Sequence, residues 1–175
     1  WYQVFLKRFP NSFITPLRKI LSEKKAVDRF INIVYKYPMK TFNDDNMCFV
    51  CGKDNPNGLK LDFQYDEEND RVISETDFAN HFQGWMGVLH GGIVSTVLDE
   101  IMVKAAGQKG FRTVTAELTV RFKQPAKMAN RFIIAGKVTG NRGRVVTCES
   151  SLQEKDGQVV ATATGKFIHV PGETI

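Results

Sequence analysis

The sequence predicts an α+β fold in which a curved antiparallel sheet wraps round one central helix, preceded by an extra N-terminal helical segment. Three observations lead there. Apolar and polar residues alternate with period two in two groups of segments after residue 58. One long, strongly apolar helical pattern separates the two groups. The later segments are joined by Gly-rich or Asp-Gly turns, which reverse the chain directly and make neighbours antiparallel. At 175 residues the chain is long enough for one core without a disulfide or metal staple.

In the first segment Thr15 is placed to cap a helix, with Pro16 at the first helical position, where a missing N–H costs nothing. Leu17, Ile20, Leu21, Val27, Phe30, Ile31 and Val34 then recur at helical spacing until Tyr37, and Pro38 stops the run. Residues 1–46 read as a basic amphipathic helical extension, with nine Lys and Arg against four Asp and Glu, whereas the domain expected over 47–175 carries fifteen of each. The apolar stripe of the extension is expected to pack on that domain or across an oligomer interface, in preference to lying on an anionic membrane surface or in a partner's groove.

From Leu59 the period changes. Leu59, Leu61, Phe63 and Tyr65 alternate with polar neighbours as a first strand, Asp66 to Asp70 is a charged turn, and Arg71 to Phe78 is the returning strand of a hairpin. A helix is expected over residues 91–109, where Ile93, Val94, Val97, Leu98, Ile101, Met102 and Ala105 cover much of the circumference, as in a helix enclosed by other elements. Ala116, Leu118, Val120 and Phe122 alternate until Pro125 ends that strand. Three more strands, over 131–140, 144–153 and 158–170, are parted by Asn141-Arg142-Gly143 and Asp156-Gly157.

Composition narrows the function classes. Hydrophobic residues at 42% and charged residues at 25% exclude collagen-like, low-complexity and disordered chains. No apolar run approaches the roughly 18 residues of a membrane-spanning helix. The neutral main domain has no basic stripe, which argues against nucleic acid as a partner. Cys48, Cys51 and Cys148, an odd number, suit free thiols in a reducing compartment. A cytoplasmic location is therefore expected, or an organelle matrix if a targeting segment precedes Trp1.

The chemistry is concentrated on the central helix. It opens on His90-Gly91-Gly92, where small residues let a ligand approach free N–H groups at the positive end of the helix dipole, as an oxyanion hole requires. Asp99 follows seven residues after Gly92, near the same face as Gly92 and Ser95, with Glu100 beside it. A carboxylate inside an apolar sheet needs a function to explain it. Helix rise puts Gly92 and Asp99 about 10 Å apart, too far for both to act on one carbonyl carbon, so one chain should not supply a whole site.

The run His90-Gly91-Gly92-Ile93-Val94-Ser95-Thr96-Val97-Leu98-Asp99 resembles the signature of the hotdog-fold acyl-CoA thioesterases, the group that includes the phenylacetate-pathway and 4-hydroxybenzoyl types. Cys48-Phe49-Val50-Cys51-Gly52, with Asn55-Pro56 and Gly58-Leu59, resembles the entry to their first strand. Thr115-Ala116-Glu117-Leu118, up to Pro125, resembles their strand after the helix. The likeness spans about residues 47 to 171 and leaves the extension outside it.

That resemblance implies a hotdog fold, hydrolysis of an acyl-CoA substrate, no cofactor beyond the coenzyme A carried by the substrate, and homodimers or tetramers with sites at the subunit interface. It assigns catalytic roles to Asp99, Gly92, His90 and Thr115. The N–H of Gly92, or of Gly91, would hold the oxyanion; Asp99 would act as general base or as a nucleophile forming an anhydride. Thr115 would orient the water, and His90 would contact the carbonyl or hold its loop. Gly91, Ser95, His81 and Gln83 are the expected substrate-binding residues.

Two other functions are consistent with the likeness. A non-catalytic acyl-CoA-binding protein would not need Asp99, and a hotdog hydroxyacyl-thioester dehydratase would need a histidine and acid arrangement that the sequence lacks. Arg121, Lys123, Lys127, Arg142 and Arg144 are available to meet CoA phosphates. No metal is expected: Cys48 and Cys51 have zinc-ligand spacing, but no second pair completes a set of four.

Overall fold

Alternation after residue 58 becomes a six-stranded sheet. The computed structural model describes residues 45–170. The helix expected between Thr15 and Tyr37 lies outside the described residues. The elements are β1 (Gln64–Asp66), β2 (Arg71–Thr76), a single 3₁₀ turn (Asn80–Phe82), α1 (Gly91–Gln108), β3 (Thr113–Phe122), β4 (Phe132–Arg142), β5 (Val145–Glu154) and β6 (Val159–His169). In space the strands run β1-β2-β4-β5-β6-β3, each neighbour antiparallel to the next. Helix α1 packs against β2, β3, β4, β5 and β6, so the sheet curves round it as the sequence predicts.

The core lies between the helix and the inner face of the sheet. Val97, Leu98, Ile101, Met102 and Ala106 are fully buried against Phe132, Ile134, Val146, Leu152 and Phe167. Each large side chain so buried is worth about 1.5–3 kcal/mol relative to leaving it exposed. The helix comes so close to β4 that a Cβ on Gly136 would stand 2.9 Å from the Ile101 side chain and 3.0 Å from its carbonyl oxygen, which is why that position holds glycine. The buried Ser150 hydroxyl donates to the Leu98 carbonyl at 3.0 Å and ties β5 to the middle of α1.

One element differs from the sequence expectation. The alternation of Leu59 to Tyr65 is real, with Leu61 buried, but only Gln64–Asp66 joins the sheet ladder. Lys60 has a φ of 55°, which breaks an extended run. The N–H groups of Leu59 and Leu61 are instead donated to the carbonyls of Phe49 and Val50, at 2.7 and 2.9 Å. The segment before β1 is therefore clasped to the Cys48–Cys51 turn rather than to β2.

Candidate active site

Asp99 and Thr115 are brought together by α1 and β3. The chain pairs Thr115 with Phe167 on β6, then slips register before Glu117. A bulge of this kind bends a strand and re-aims the side chain beside it. The Thr115 hydroxyl donates to the Asp99 carboxylate, at 3.0 Å from Oδ1 and 3.1 Å from Oδ2. Burial holds the Asp99 carboxyl above the ordinary aspartate range; the Thr115 hydrogen bond opposes that rise and the neighbouring Glu100 charge adds to it. A half-buried carboxylate with a raised pKa and one fixed donor suits a general base.

The helix start carries the other candidate residues. His90 caps the helix from an extended conformation, φ −63° and ψ 131°, and its Nδ1 accepts the Gly92 N–H at 2.9 Å. The His90 carbonyl takes the N–H groups of Ile93 and Val94. Only Gly91 is left: among the described residues no acceptor takes its N–H, and the residue is exposed. Of the two donors named by the sequence, Gly92 is occupied by its own cap and Gly91 is free.

The remaining expected residues shape this end. Ser95 Oγ donates back to the Gly91 carbonyl at 3.0 Å. Gln83 Oε1 accepts from the Gly87 N–H at 3.2 Å, and His81 packs its ring on Phe82 with centroids 4.0 Å apart. The His90 N–H is donated to the Phe82 carbonyl at 2.9 Å, which fastens the loop carrying His81 and Gln83 to the helix cap. His81, Gln83, His90, Gly91, Gly92 and Ser95 thus form one neighbourhood. Asp99 and Thr115 form another, about two turns along an unbroken helix and so about 10–12 Å away.

Sequence reasoning missed three apolar side chains here. Trp85 and Met86 are 84% and 95% exposed on the loop before the helix, and Phe122 at the end of β3 is 55% exposed. The Phe122 ring would be 3.5 Å from a Cβ on Gly91, so it flanks the free N–H. The signal was available: Trp85-Met86 lies between Gly84 and Gly87, where an apolar pair has no core to join. Arg121 stands elsewhere. Glu149 and Ser151 flank the inward-turned Ser150 on β5 and face outward, and there Arg121, Thr119, Lys137, Glu149, Ser151 and Thr164 line a polar concavity of about 580 Å³ to which neither the helix start nor Asp99 and Thr115 contribute.

The structure also sets Glu100 beside Cys48 and Cys51, a grouping that their spacing in sequence does not show. Burial, with Glu100 adding to it, pushes the Cys51 thiol up to about 12, and burial takes Cys148 to about 11. Both are protonated at neutral pH and neither is a nucleophile.

The thioesterase superfamily profile matches residues 86–161, from the exposed loop through α1 to the start of β6. Acyl-coenzyme A thioesterase THEM4 of Rattus norvegicus is 25% identical over 112 residues, covering 63% of this chain and 48% of that protein. The chain spans about half the length of the THEM4 relatives it matches. A Saccharolobus solfataricus protein that carries an esterase name is 31% identical over 102 residues, 57% of this chain and 72% of that protein. A Candida albicans protein described as mitochondrial is 33% identical over 153 residues, 77% of this chain and 66% of that protein.

Among solved structures, a Streptococcus mutans protein bound to acetyl-CoA superposes with a TM-score of 0.60 at 20% identity, covering 65% of this chain and 91% of the other. Two structures of a hypothetical thioesterase from Streptococcus pneumoniae superpose with TM-scores of 0.57 and 0.58 at 18% and 17% identity, over 62% and 63% of this chain and 90% of theirs. One carries alanine in place of a threonine and the other in place of an aspartate, sixteen positions apart, the separation of Asp99 and Thr115 here. These likenesses establish the hotdog fold.

Proposed function

The chain belongs to the thioesterase superfamily, and on that premise we propose that it hydrolyses an acyl-CoA thioester to a free acid and coenzyme A. The observation that carries the reading is the Asp99 carboxylate, half-buried and held by Thr115, on the same helix as the unpaired N–H of Gly91. Asp99 takes a proton from water, and the hydroxide adds to the thioester carbonyl carbon. The Gly91 N–H and the helix dipole hold the oxyanion that develops. The oxyanion then collapses, the C–S bond breaks, and the departing coenzyme A sulfur takes the proton that Asp99 had accepted, which restores the carboxylate. Thr115 keeps the carboxylate turned toward the water. The substitution of an aspartate and a threonine at this separation in the Streptococcus pneumoniae protein supports choosing this pair.

Because Gly91 and Asp99 stand about 12 Å apart along α1, the reading places each reaction between two copies of the chain, the donor from one and the carboxylate from the other. Strand β3 supports this: it is ten residues long and lies at the edge of the sheet with no neighbour on its outer side among the described residues. A long open edge is a ready template for a second copy. Trp85, Met86 and Phe122, exposed at the helix start, would receive the acyl chain. No helix among the described residues is long and apolar enough to cross a membrane, and the Candida albicans relative supports an organelle matrix over the cytoplasm.

The test is thiol release from short, medium, long and aromatic acyl-CoAs by the wild type and by Asp99→Asn. Turnover of at least one class by the wild type and its loss in a folded Asp99→Asn variant are expected. Tight acyl-CoA binding by both without turnover would make the chain a binding protein instead.

A further inference from the structure

We propose that Cys48, Cys51 and Glu100 bind one zinc ion, which clips the segment before β1 to the central helix. Two Sγ atoms and a carboxylate oxygen lie within 4.8 Å of one another, from a loop and a helix that are separated by about fifty residues of chain. Tetrahedral zinc with Zn–S of about 2.3 Å and Zn–O of about 2.0–2.2 Å needs its ligand atoms about 3.5–3.8 Å apart, a small side-chain adjustment from this arrangement. Water completes the fourth position.

The cysteine turn is built for the task. The Val50 N–H is donated to Cys48 Sγ at 3.4 Å, and the Gly52 N–H closes the turn on the Cys48 carbonyl at 2.8 Å. A Cβ on Gly52 would lie 2.4 Å from the backbone of Asn46 and Cys48, so only glycine permits so tight a return. Asn46 Oδ1 takes the Lys53 N–H, and Asn55 Nδ2 donates to the Met47 carbonyl, which hold the turn from outside. Both thiols therefore have a fixed origin before any ion arrives.

Charge balance agrees. Zinc with two thiolates and one carboxylate carries a net charge of −1, and the Lys104 ammonium, 3.3 Å from Glu100 Oε1, neutralises it. Each thiol gives its proton to solvent as the ion binds. Soft sulfur ligands favour zinc over magnesium or calcium at such a site. Glu100 points about 100° round the helix from Asp99, so the ion positions the helix and takes no part in the reaction.

The full-length chain, reduced and stripped with chelator, is titrated with cobalt(II) and then zinc(II). One cobalt per chain, with thiolate-to-cobalt charge-transfer absorption that zinc abolishes, and a melting temperature raised by zinc, are expected. Cys51→Ser should lose the absorption and the rise in melting temperature, and Cys148→Ala should retain both. Glu100→Gln, which leaves both thiols in place, should bind at least about tenfold more weakly. A reduced, folded wild type without the absorption would overturn the proposal. So would unchanged affinity in Glu100→Gln, or a Cys48–Cys51 disulfide found in place of the metal.

Discussion

At the start of α1 the backbone is open. Gly91 and Gly92 are exposed, three apolar side chains stand uncovered nearby, and one N–H waits for an acceptor. Two turns along the same helix Asp99 is half-buried, and both its carboxylate oxygens are within reach of one hydroxyl from β3. The first region is unfinished and the second is complete. A helix whose interior is locked into the sheet can hold a base steady, whereas its end can receive a ligand only if it stays exposed. On the proposed function, the distance between them makes the two regions halves of different sites within one chain.

The largest effect should come from the completed half. Asp99→Asn keeps the shape and an acceptor for Thr115, so it should fold and lose about two to four orders of magnitude in kcat, measured by thiol release. At the open half, Gly91→Pro removes the free N–H without breaking the helix. Proline is favoured at the first helical position, and the extended backbone of His90 suits a residue before proline. It should lose about two to three orders in kcat. Gly92→Ala should act through the cap instead, because a Cβ there would crowd His90 Nδ1 at 2.9 Å. Thr115→Val removes a hydrogen bond to a charged group, worth about 1.5–3 kcal/mol, and should cost about one to two orders in kcat.

The contrast is sharpened by pH. Because burial raises the Asp99 carboxyl, the acid limb of kcat/KM should lie above the ordinary carboxylate range of about 4. For stability the sign is opposite. A folded carboxyl that holds its proton more tightly than the unfolded chain stabilises the fold at low pH, and this is lost as pH rises through the raised pKa. Asp99→Asn should therefore melt higher than the wild type at neutral pH while being nearly inactive. Equal melting temperatures across that window would mean the carboxylate is not strained by its surroundings.

Much of this fold was legible from periodicity. Five of the six strands and the helix appear where alternation and turn residues place them, and Pro125, Gly143 and Gly157 lie just beyond strand ends. The first strand was overread because alternation reports which side chains face inward, not which backbone partner takes the N–H groups; Leu59 and Leu61 found theirs in the cysteine turn. The same limit applies at the site. Asp99 is legible as a carboxylate in an apolar helix, but its bond to Thr115 depends on a bulge that no spacing announces. Gly92 and Gly91 are equivalent in sequence, and only the His90 side chain distinguishes them. Cys48 and Cys51 looked incomplete because their third neighbour, Glu100, is brought in by tertiary packing.

The central claim is that one site draws on two copies of the chain, and subunit exchange tests it most directly. Asp99→Asn and Gly91→Pro, each inactive alone, are mixed in equal amounts, with exchange confirmed by co-elution of differently tagged chains. In a hybrid dimer one site receives both defects and the other neither, and half the dimers are hybrids, so about a quarter of wild-type activity should return. If tagged hybrids form and no activity returns, Gly91 and Asp99 act within a single chain, and the division of this helix into two half-sites is wrong.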